Sequence, residues 1–200
     1  MKFIRAKSLD FPLEISFSDN TVLEEVTSFK LLGVIVSNSL KWEENTDYIC
    51  SKARRKIWLL RNMKKSGLST DELIDAYKKE IRSILELAVP VWHSGLTLEQ
   101  SNQIERVQKN SLVAILGSKY TRYSEVLQKV GLESLSERRV KICSKFITKN
   151  MNSQRPLLSR VKKSYNTRST DSMVNEFQCR TQAFFDSGLP FLARMFNHDL

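Results

Sequence analysis

The chain has 200 residues, 41% of them hydrophobic, and its 32 lysines and arginines against 22 aspartates and glutamates give a formal net charge of +10. This length allows one folded domain, or one domain and a piece of another. With 6 glycines and 4 prolines, the composition excludes a largely unfolded chain and favours a mostly helical body. The basic excess favours polyanionic partners, first nucleic acid and second an anionic membrane surface, over a merely soluble basic protein.

The cysteines and the apolar runs indicate in which cellular compartment the protein is expected. Cys50, Cys143 and Cys179 are widely spaced and odd in number, which fits neither a disulfide framework nor a metal site. We therefore expect a reducing, intracellular compartment, nuclear or cytoplasmic. No run approaches the roughly 18–20 apolar residues of a membrane span, and the basic N-terminus lacks the apolar core of a secretory signal. We expect no membrane partner.

The N-terminal part has strand patterns. Apolar and polar residues alternate over residues 13–17, and a turn signal follows at 18–21. Residues 22–26 and 29–36 have the composition of returning strands. The pattern predicts a small antiparallel hairpin or sheet of two or three strands within residues 1–42. Because so small a sheet is not stable alone, we expect it to pack on helices or on a missing partner.

Helical periodicity follows. Residues 44–65 predict the first helix, because apolar residues recur there at helical spacing along one side. Gly67 is expected to end this helix. The residues predicted to face the core from it are Ile49, Ala53, Ile57 and Leu60.

Later helices begin at capping boxes, in which a serine or threonine and the Glu or Gln three residues on satisfy each other's backbone amides. The boxes start at Ser69, Thr97 and Ser134, and we expect Pro90 to close the second helix. A short helix is predicted over residues 123–130, before Gly131. The residues predicted to be buried on these helices include Leu73, Tyr77, Ala88, Ile104, Val140, Phe146 and Ile147.

The C-terminal part differs in pattern from the helical body. Residues 43–151 predict a bundle of helices joined by short connections, which favours antiparallel neighbours. The following residues are polar to about residue 172, and aromatic residues return at 177–197. We expect residues 152–200 to form a linker and a loosely ordered tail. The predicted fold class is therefore mainly α, with a small N-terminal antiparallel sheet before a helical bundle.

The first helix also has a basic side. At about 100° per residue, Arg54, Trp58, Arg61 and Lys65 fall in one narrow sector, apart from the apolar side. Guanidinium groups clamp phosphates through paired hydrogen bonds, and an indole can lie on a sugar or a base. The pattern predicts a nucleic-acid interface that contributes affinity rather than sequence choice. A solvated basic face around a half-buried tryptophan is the alternative.

Residues suited to catalysis are sparse. His93, next to Trp92, and His198 are predicted to be packing or surface residues. Asp71 and Asp75 share a helix face, but the helix dipole explains an acid at position 71. The sequence has no glycine-rich phosphate loop. We therefore predict no catalytic residue and no metal ligand in this chain.

Several short motifs follow one another along the chain in a fixed order. Near the N-terminus these are FKLLGV at 29–34, LKW at 40–42 and ICSKA at 49–53. Later ones are YKKEIRSILE at 77–86, PVW at 90–92, QIERVQK at 103–109, LESLSERR at 132–139, CRT at 179–181 and PFLARMFN at 190–197. In this order they resemble the C-terminal primer-grip and thumb region of the reverse transcriptase of non-LTR (LINE-type) retrotransposons. Leu87 departs from the family pattern, which has a tyrosine there.

The resemblance implies roles for the two predicted parts of the chain. In that family an F-x-x-L-G-V segment forms the primer-grip hairpin at the edge of the palm, and a helical thumb follows. Residues 1–42 would then be the end of the palm, with Phe29 and Gly33 in the hairpin, and residues 43–151 a thumb-like domain. The residues that would contact the template–primer duplex from the first helix are Lys52, Arg54, Arg55, Trp58, Arg61 and Lys65.

The same resemblance implies what the chain lacks. The family's catalytic carboxylates, including the F-A-D-D turn, precede the primer grip, so we expect this chain to begin after them. Mg²⁺ would belong to the complete family enzyme, and we expect no cofactor bound by this chain. The expected partners are an RNA–DNA hybrid or duplex and the missing palm and fingers, or a self-associating copy. The alternatives are a non-catalytic nucleic-acid-binding module, a helical protein-interaction adaptor, or a relic without a selected function.

Overall fold

The computed structural model describes residues 26–154, 156–159 and 173–198. The predicted fold class is confirmed, since a two-stranded antiparallel sheet precedes a mainly helical body. The strand predicted over residues 13–17 and all but the last residue of the one predicted over 22–26 lie outside the described residues. Among the helices of the described ranges, none is both long enough and apolar enough to cross a bilayer.

The sheet is a tight hairpin. Strand β1 (Ser28–Leu31) pairs antiparallel with strand β2 (Val34–Ser37). The prediction of one strand over residues 29–36 is wrong, because Leu32 (φ 48°) and Gly33 (φ 90°) reverse the chain in its middle. Two consecutive positive φ angles form the two-residue turn that matches the twist of antiparallel strands. Glycine adopts the second of these angles without a steric cost.

The hairpin is fixed to the helical body through β2. The register places Leu31 opposite Val34, and Val34 is buried. The backbone N–H of Ile35 donates a hydrogen bond to Oδ1 of Asn45 at 3.1 Å. The sheet therefore packs on helices, as its small size requires.

The helical body begins at residue 43. A π-helical segment, Lys78–Arg82, joins the second and third helices, and 3₁₀ turns follow the fourth (His93–Gly95) and the fifth (Gly117–Lys119). The helices of the described residues are α1 (Glu43–Lys65), α2 (Thr70–Tyr77), α3 (Ser83–Leu85), α4 (Val89–Trp92), α5 (Leu98–Leu116), α6 (Tyr123–Lys129), α7 (Leu135–Met151), α8 (Gln182–Phe185) and α9 (Gly188–His198).

The predicted helix boundaries agree with the structure at the positions where a capping box or a glycine marks the end of a helix. All three capping boxes are confirmed, at Ser69, Thr97 and Ser134, each with both reciprocal hydrogen bonds. Gly67 and Gly131 follow α1 and α6 with positive φ, and their amides bond back to the preceding turn. These contacts satisfy the orphan carbonyls of a helix end.

The prediction that Pro90 closes a helix is wrong. The helical path ends at Leu85, and Ala88 adopts a left-handed conformation (φ 53°) that separates it from α4. Pro90 lies in the first turn of α4, where its missing N–H needs no partner. Ala88 is partly buried in this connection.

The core surrounds α1. The four apolar residues predicted to face inward from α1 are all buried. Side-chain hydrogen bonds join the N-terminal halves of α1 and α5 (Gln103 to Asp47) and their last turns (Lys64 to Ala114), so the two helices lie side by side in the same direction. At the C-terminus, α9 packs on α7 and α4. The linker predicted before it lies largely outside the described residues.

One face of α7 differs from the prediction. Val140 and Phe146, predicted to be buried, are 44% and 39% exposed. The buried residues of α7 recur every four positions instead, and this row rotates gradually around the helix because one turn takes 3.6 residues. The row consists of Leu135, Arg139, Cys143, Ile147 and Met151.

Candidate nucleic-acid interface

Helix α1 separates its charges along its length. Its acidic residues, Glu43, Glu44 and Asp47, lie near its start, and its lysines and arginines follow from Lys52 to Lys65. Acids near the N-terminus and cations near the C-terminus both interact favourably with the helix dipole. The separation alone therefore needs no ligand to explain it.

A stronger signal is the exposure of one side of α1, formed by Arg54, Trp58, Arg61 and Lys65, which we call the α1 basic face. All four side chains are exposed, and Trp58 is 65% exposed. Tryptophan is highly buried on average in folded proteins. The indole is therefore not a half-buried core residue, and its ring is free to contact a ligand.

The cations of the α1 basic face also lack partners. Within the part of the chain that the structure describes, Arg54, Arg61 and Lys65 make no ion pair and no hydrogen bond through their side chains. Their neighbours differ: Lys56 pairs with Glu80 at 3.0 Å, and Lys64 donates to a carbonyl of α5. The unpaired groups retain their donors for an external anion.

Two further predicted residues, Lys52 and Arg55, lie on an adjacent sector of α1, around Tyr48. The Lys30 ammonium, on β1, donates a hydrogen bond to Oη of Tyr48 at 2.7 Å and lies 4.5 Å from its ring centroid. The Lys52 ammonium lies 6.0 Å from the same centroid. The hydrogen bond from Lys30 and the positive charges of Lys30, Lys52 and Arg55 hold the pKa of Tyr48 below its ordinary value. We call these four residues the Tyr48 cluster.

Sequence reasoning missed Lys30 and Tyr48. They are 18 positions apart and come together because the hairpin packs on α1. The available signal was local: Tyr48 lies four residues before Lys52, so the two share a helix face.

The predicted hairpin residues have different environments. Phe29 is 55% exposed, beside Leu31 and Leu32, which are also exposed. Gly33 is in the turn, where an added Cβ would lie 3.0 Å from Cδ2 of Leu87. Phe29 can therefore contact a ligand, whereas Gly33 serves the turn and its close approach to α3–α4.

The histidine and acidic residues considered for catalysis are separate from this surface. The ring of His93 lies edge-on to Phe191 at 5.6 Å between centroids. Burial first, and then the charge of Arg139, lower the pKa of His93 to about 4. Asp75 pairs with Lys78 at 3.0 Å. No group of three His, Cys, Asp or Glu side chains in the described ranges is arranged to share a metal ion.

Comparisons with known proteins find no relative of this chain. No protein-family model matches the chain, and no curated protein or solved structure matches it. The resemblance to non-LTR reverse transcriptases stays a prediction. The candidate nucleic-acid interface is the α1 basic face, whose cations are exposed and unpaired among the described residues.

Proposed function

We propose that this chain holds a nucleic-acid duplex through its phosphates. The supporting observation is the α1 basic face, where three exposed cations without a partner among the described residues share one side of the helix with an exposed indole. The cations bind backbone phosphates, and Trp58 lies against a sugar or a base. Phosphate contacts position a duplex without reading its sequence, so we expect affinity with little sequence preference.

The order of motifs supports a more specific form of this proposal. The chain would be the primer-grip hairpin and thumb of a non-LTR retrotransposon reverse transcriptase, an RNA-directed DNA polymerase, acting in the nucleus or cytoplasm. The motifs match the parts that hold the template–primer and not the carboxylates that form bonds. We expect the 200-residue chain alone to leave a primer unextended with template, nucleotides and Mg²⁺. Incorporation above background would contradict this.

Binding is tested by fluorescence anisotropy with a labelled RNA–DNA hybrid and a DNA duplex, over a series of salt concentrations. The variant replaces Arg54, Arg61 and Lys65 with alanine. Each phosphate contact releases a counterion when the duplex binds. Because the variant makes three fewer contacts, we expect the slope of log K against log salt to become shallower by about 3. Affinity should fall for all sequences alike.

The matched control removes three exposed cations from other parts of the body, by replacing Lys119, Lys129 and Lys149 with alanine. It has the same net charge as the first variant, so it corrects for general electrostatic attraction. We expect it to bind nearly as the unmodified chain does. If both variants weaken binding equally, the α1 basic face is only a solvated surface.

A second function, a helical protein-interaction adaptor, is favoured by the hairpin. Phe29, Leu31 and Leu32 are 55%, 56% and 92% exposed, and among the described strands β1 pairs on one edge only. An unpaired edge next to apolar side chains attracts another chain. The missing palm or a second copy would cover it. Light scattering tests self-association: a clean monomer at high concentration argues against the second copy.

A further inference from the structure

Two ammonium groups from two separate elements lie at one phenol at the junction of the hairpin and α1, and the charge of Arg55 acts on the same phenol. Lys30 extends from β1, and Lys52 and Arg55 extend from α1, one and two turns beyond Tyr48. The Lys30 ammonium bonds to the phenol oxygen at 2.7 Å, and the Lys52 ammonium lies 6.0 Å from the ring. This arrangement exists because the hairpin is fixed on the helical body, so it is a built feature of the fold.

The positive charge of the Tyr48 cluster is not neutralised by the described protein. Lys30, Lys52 and Arg55 are exposed, and none of them pairs with a carboxylate of the described residues. Asp47 precedes Tyr48 in sequence, but its carboxylate accepts a hydrogen bond from Gln103 at 2.7 Å, towards α5. Like charges held this close together repel one another unless an anion lies between them.

The donors of the cluster suit a phosphate. Two ammonium groups and a guanidinium provide charged donors. The phenol oxygen of Tyr48 accepts the hydrogen bond of Lys30, so its own proton remains available to an anion. A phosphodiester offers two non-bridging oxygens to such donors.

The cluster is separate from the α1 basic face. At about 100° per residue, Lys52 lies about 140–180° around α1 from Arg61 and Lys65, and Arg55 lies about 80–120° from them. Lys52 therefore lies on a different side of α1 from Arg61 and Lys65, whereas Arg55, which follows Arg54 in sequence, lies between the two groups.

We propose that the Tyr48 cluster is a second phosphate-binding site, which holds one backbone phosphate of the bound nucleic acid where the hairpin meets α1. This inference rests on the proposed function and adds to it. The duplex would be held at two separate places, one of them formed jointly by the hairpin and the helix. Lys30 and Tyr48, which no motif singled out, become contact residues.

The first test reads the phenol itself. The ionisation of Tyr48 is followed by ultraviolet absorbance as the difference between the unmodified chain and Tyr48→Phe, without and with a saturating DNA duplex. Bound phosphate brings negative charge next to the phenol and engages Lys30, so we expect the pKa of Tyr48 to rise when the duplex is added. An unchanged titration with the duplex bound would overturn the proposal.

The second test measures the contribution to binding. Replacing Lys30 and Lys52 with glutamine should make the salt slope of duplex binding shallower by about 2. The control replaces Lys119 and Lys129 with glutamine, which removes the same charge elsewhere, and should leave the slope nearly unchanged. Circular dichroism establishes that each variant is folded.

The outcomes separate this inference from the proposed function. If the duplex binds and the α1 basic face variant weakens it, but the Lys30 and Lys52 variant matches its control, the second site is refuted and the proposed function stands. If the unmodified chain binds no duplex at all, both are refuted.

Discussion

Polar side chains in the helical interior are hydrogen-bonded to one another, whereas those on the α1 basic face are exposed and unpaired among the described residues. Between α2, α5 and α6, Tyr77 donates to Gln108, and Gln108 donates to Tyr123 at 2.7 Å and to the carbonyl of Glu133 at 3.0 Å. Tyr123 in turn donates to Glu105. On the α1 basic face, Arg54, Arg61 and Lys65 have no protein partner among the described residues.

This difference shows which charges serve the fold. A buried polar group without a hydrogen bond costs stability through its desolvation, and the hydrogen bonds among Tyr77, Gln108 and Tyr123 avoid that cost. An exposed cation is solvated and needs no partner. Pairing, more than charge, therefore distinguishes residues that build this protein from residues available to a ligand. Arg138, bound to Glu86, belongs to the first group, and Arg61 belongs to the second.

The largest expected effect comes from breaking an interior pair. The carboxylate of Glu86 accepts two hydrogen bonds from Arg138, one of them at 3.0 Å from Nη2, and Arg82 lies 3.8 Å away. Glu86→Ala leaves two partly buried guanidinium groups without their anion. We expect a loss of about 2 kcal/mol in the free energy of unfolding, measured by urea denaturation.

The control for this prediction is Glu99→Ala. Glu99 faces Arg106 at 3.5 Å, but both side chains are mostly exposed. Exposed pairs contribute at most about 1 kcal/mol. Equal losses in the two variants would contradict the distinction between interior and surface charges.

An effect of similar size, confined to acidic pH, is expected from His93, whose pKa falls to about 4 through burial and the charge of Arg139. Above its ordinary value of 6.5, the ring is neutral in both folded and unfolded chains. As the pH falls from 6.5 to 4, the unfolded chain binds a proton that the folded chain does not, so stability is lost. Below 4 both states are protonated, and the loss stops. Allowing for partial exposure of the ring, we expect about 2 kcal/mol in total.

The measurement compares urea unfolding of the unmodified chain and His93→Gln at pH 7 and pH 4. Carboxylates that titrate in the same range affect both proteins, so they cancel in the difference. The stability advantage of the unmodified chain should shrink by about 2 kcal/mol at the lower pH. His198→Gln, at an exposed position, is the matched control for replacing a histidine. A constant difference for His93→Gln would mean that the ring titrates normally.

Local sequence rules predicted the parts of this fold that depend on a few neighbouring residues. Each capping box is set within four residues, and all three formed as predicted. The reversal inside residues 29–36 and the role of Pro90 were missed, because strand and helix patterns continue across a turn that only backbone angles reveal. In α7, hydropathy favoured Val140, but tertiary packing buries Arg139, which donates to Ser101 at 2.6 Å.

The candidate site also has one part that could be predicted from local sequence and one part that could not. The α1 basic face follows from the angular spacing of residues on one helix, so its grouping could be predicted from sequence. Whether those cations would find partners elsewhere in the chain could not be predicted, because pairing depends on which helices become neighbours. The Tyr48 cluster needs a hairpin residue and a helix residue 18 positions apart, and periodicity along one element does not contain that information.

The smallest expected effect is on stability when the α1 basic face is removed. Replacing Arg54, Arg61 and Lys65 with alanine takes away exposed side chains without partners among the described residues. Alanine is the best helix former, and the change removes repulsion between Arg61 and Lys65, which are four residues apart. We expect the free energy of unfolding to stay within about 0.5 kcal/mol of the unmodified value. Urea denaturation in the buffer of the binding assay measures this.

The loss of stability in this triple variant is compared with the loss in Arg138→Ala. Arg138 is a single arginine, but its loss leaves Glu86 partly buried and without its two hydrogen bonds, so we expect a cost of about 2 kcal/mol. Three lost cations on α1 should therefore cost less than one lost arginine in the interior. If the triple variant instead loses more than about 1.5 kcal/mol, the α1 cations stabilise the fold, and weaker duplex binding by that variant could no longer be attributed to lost phosphate contacts.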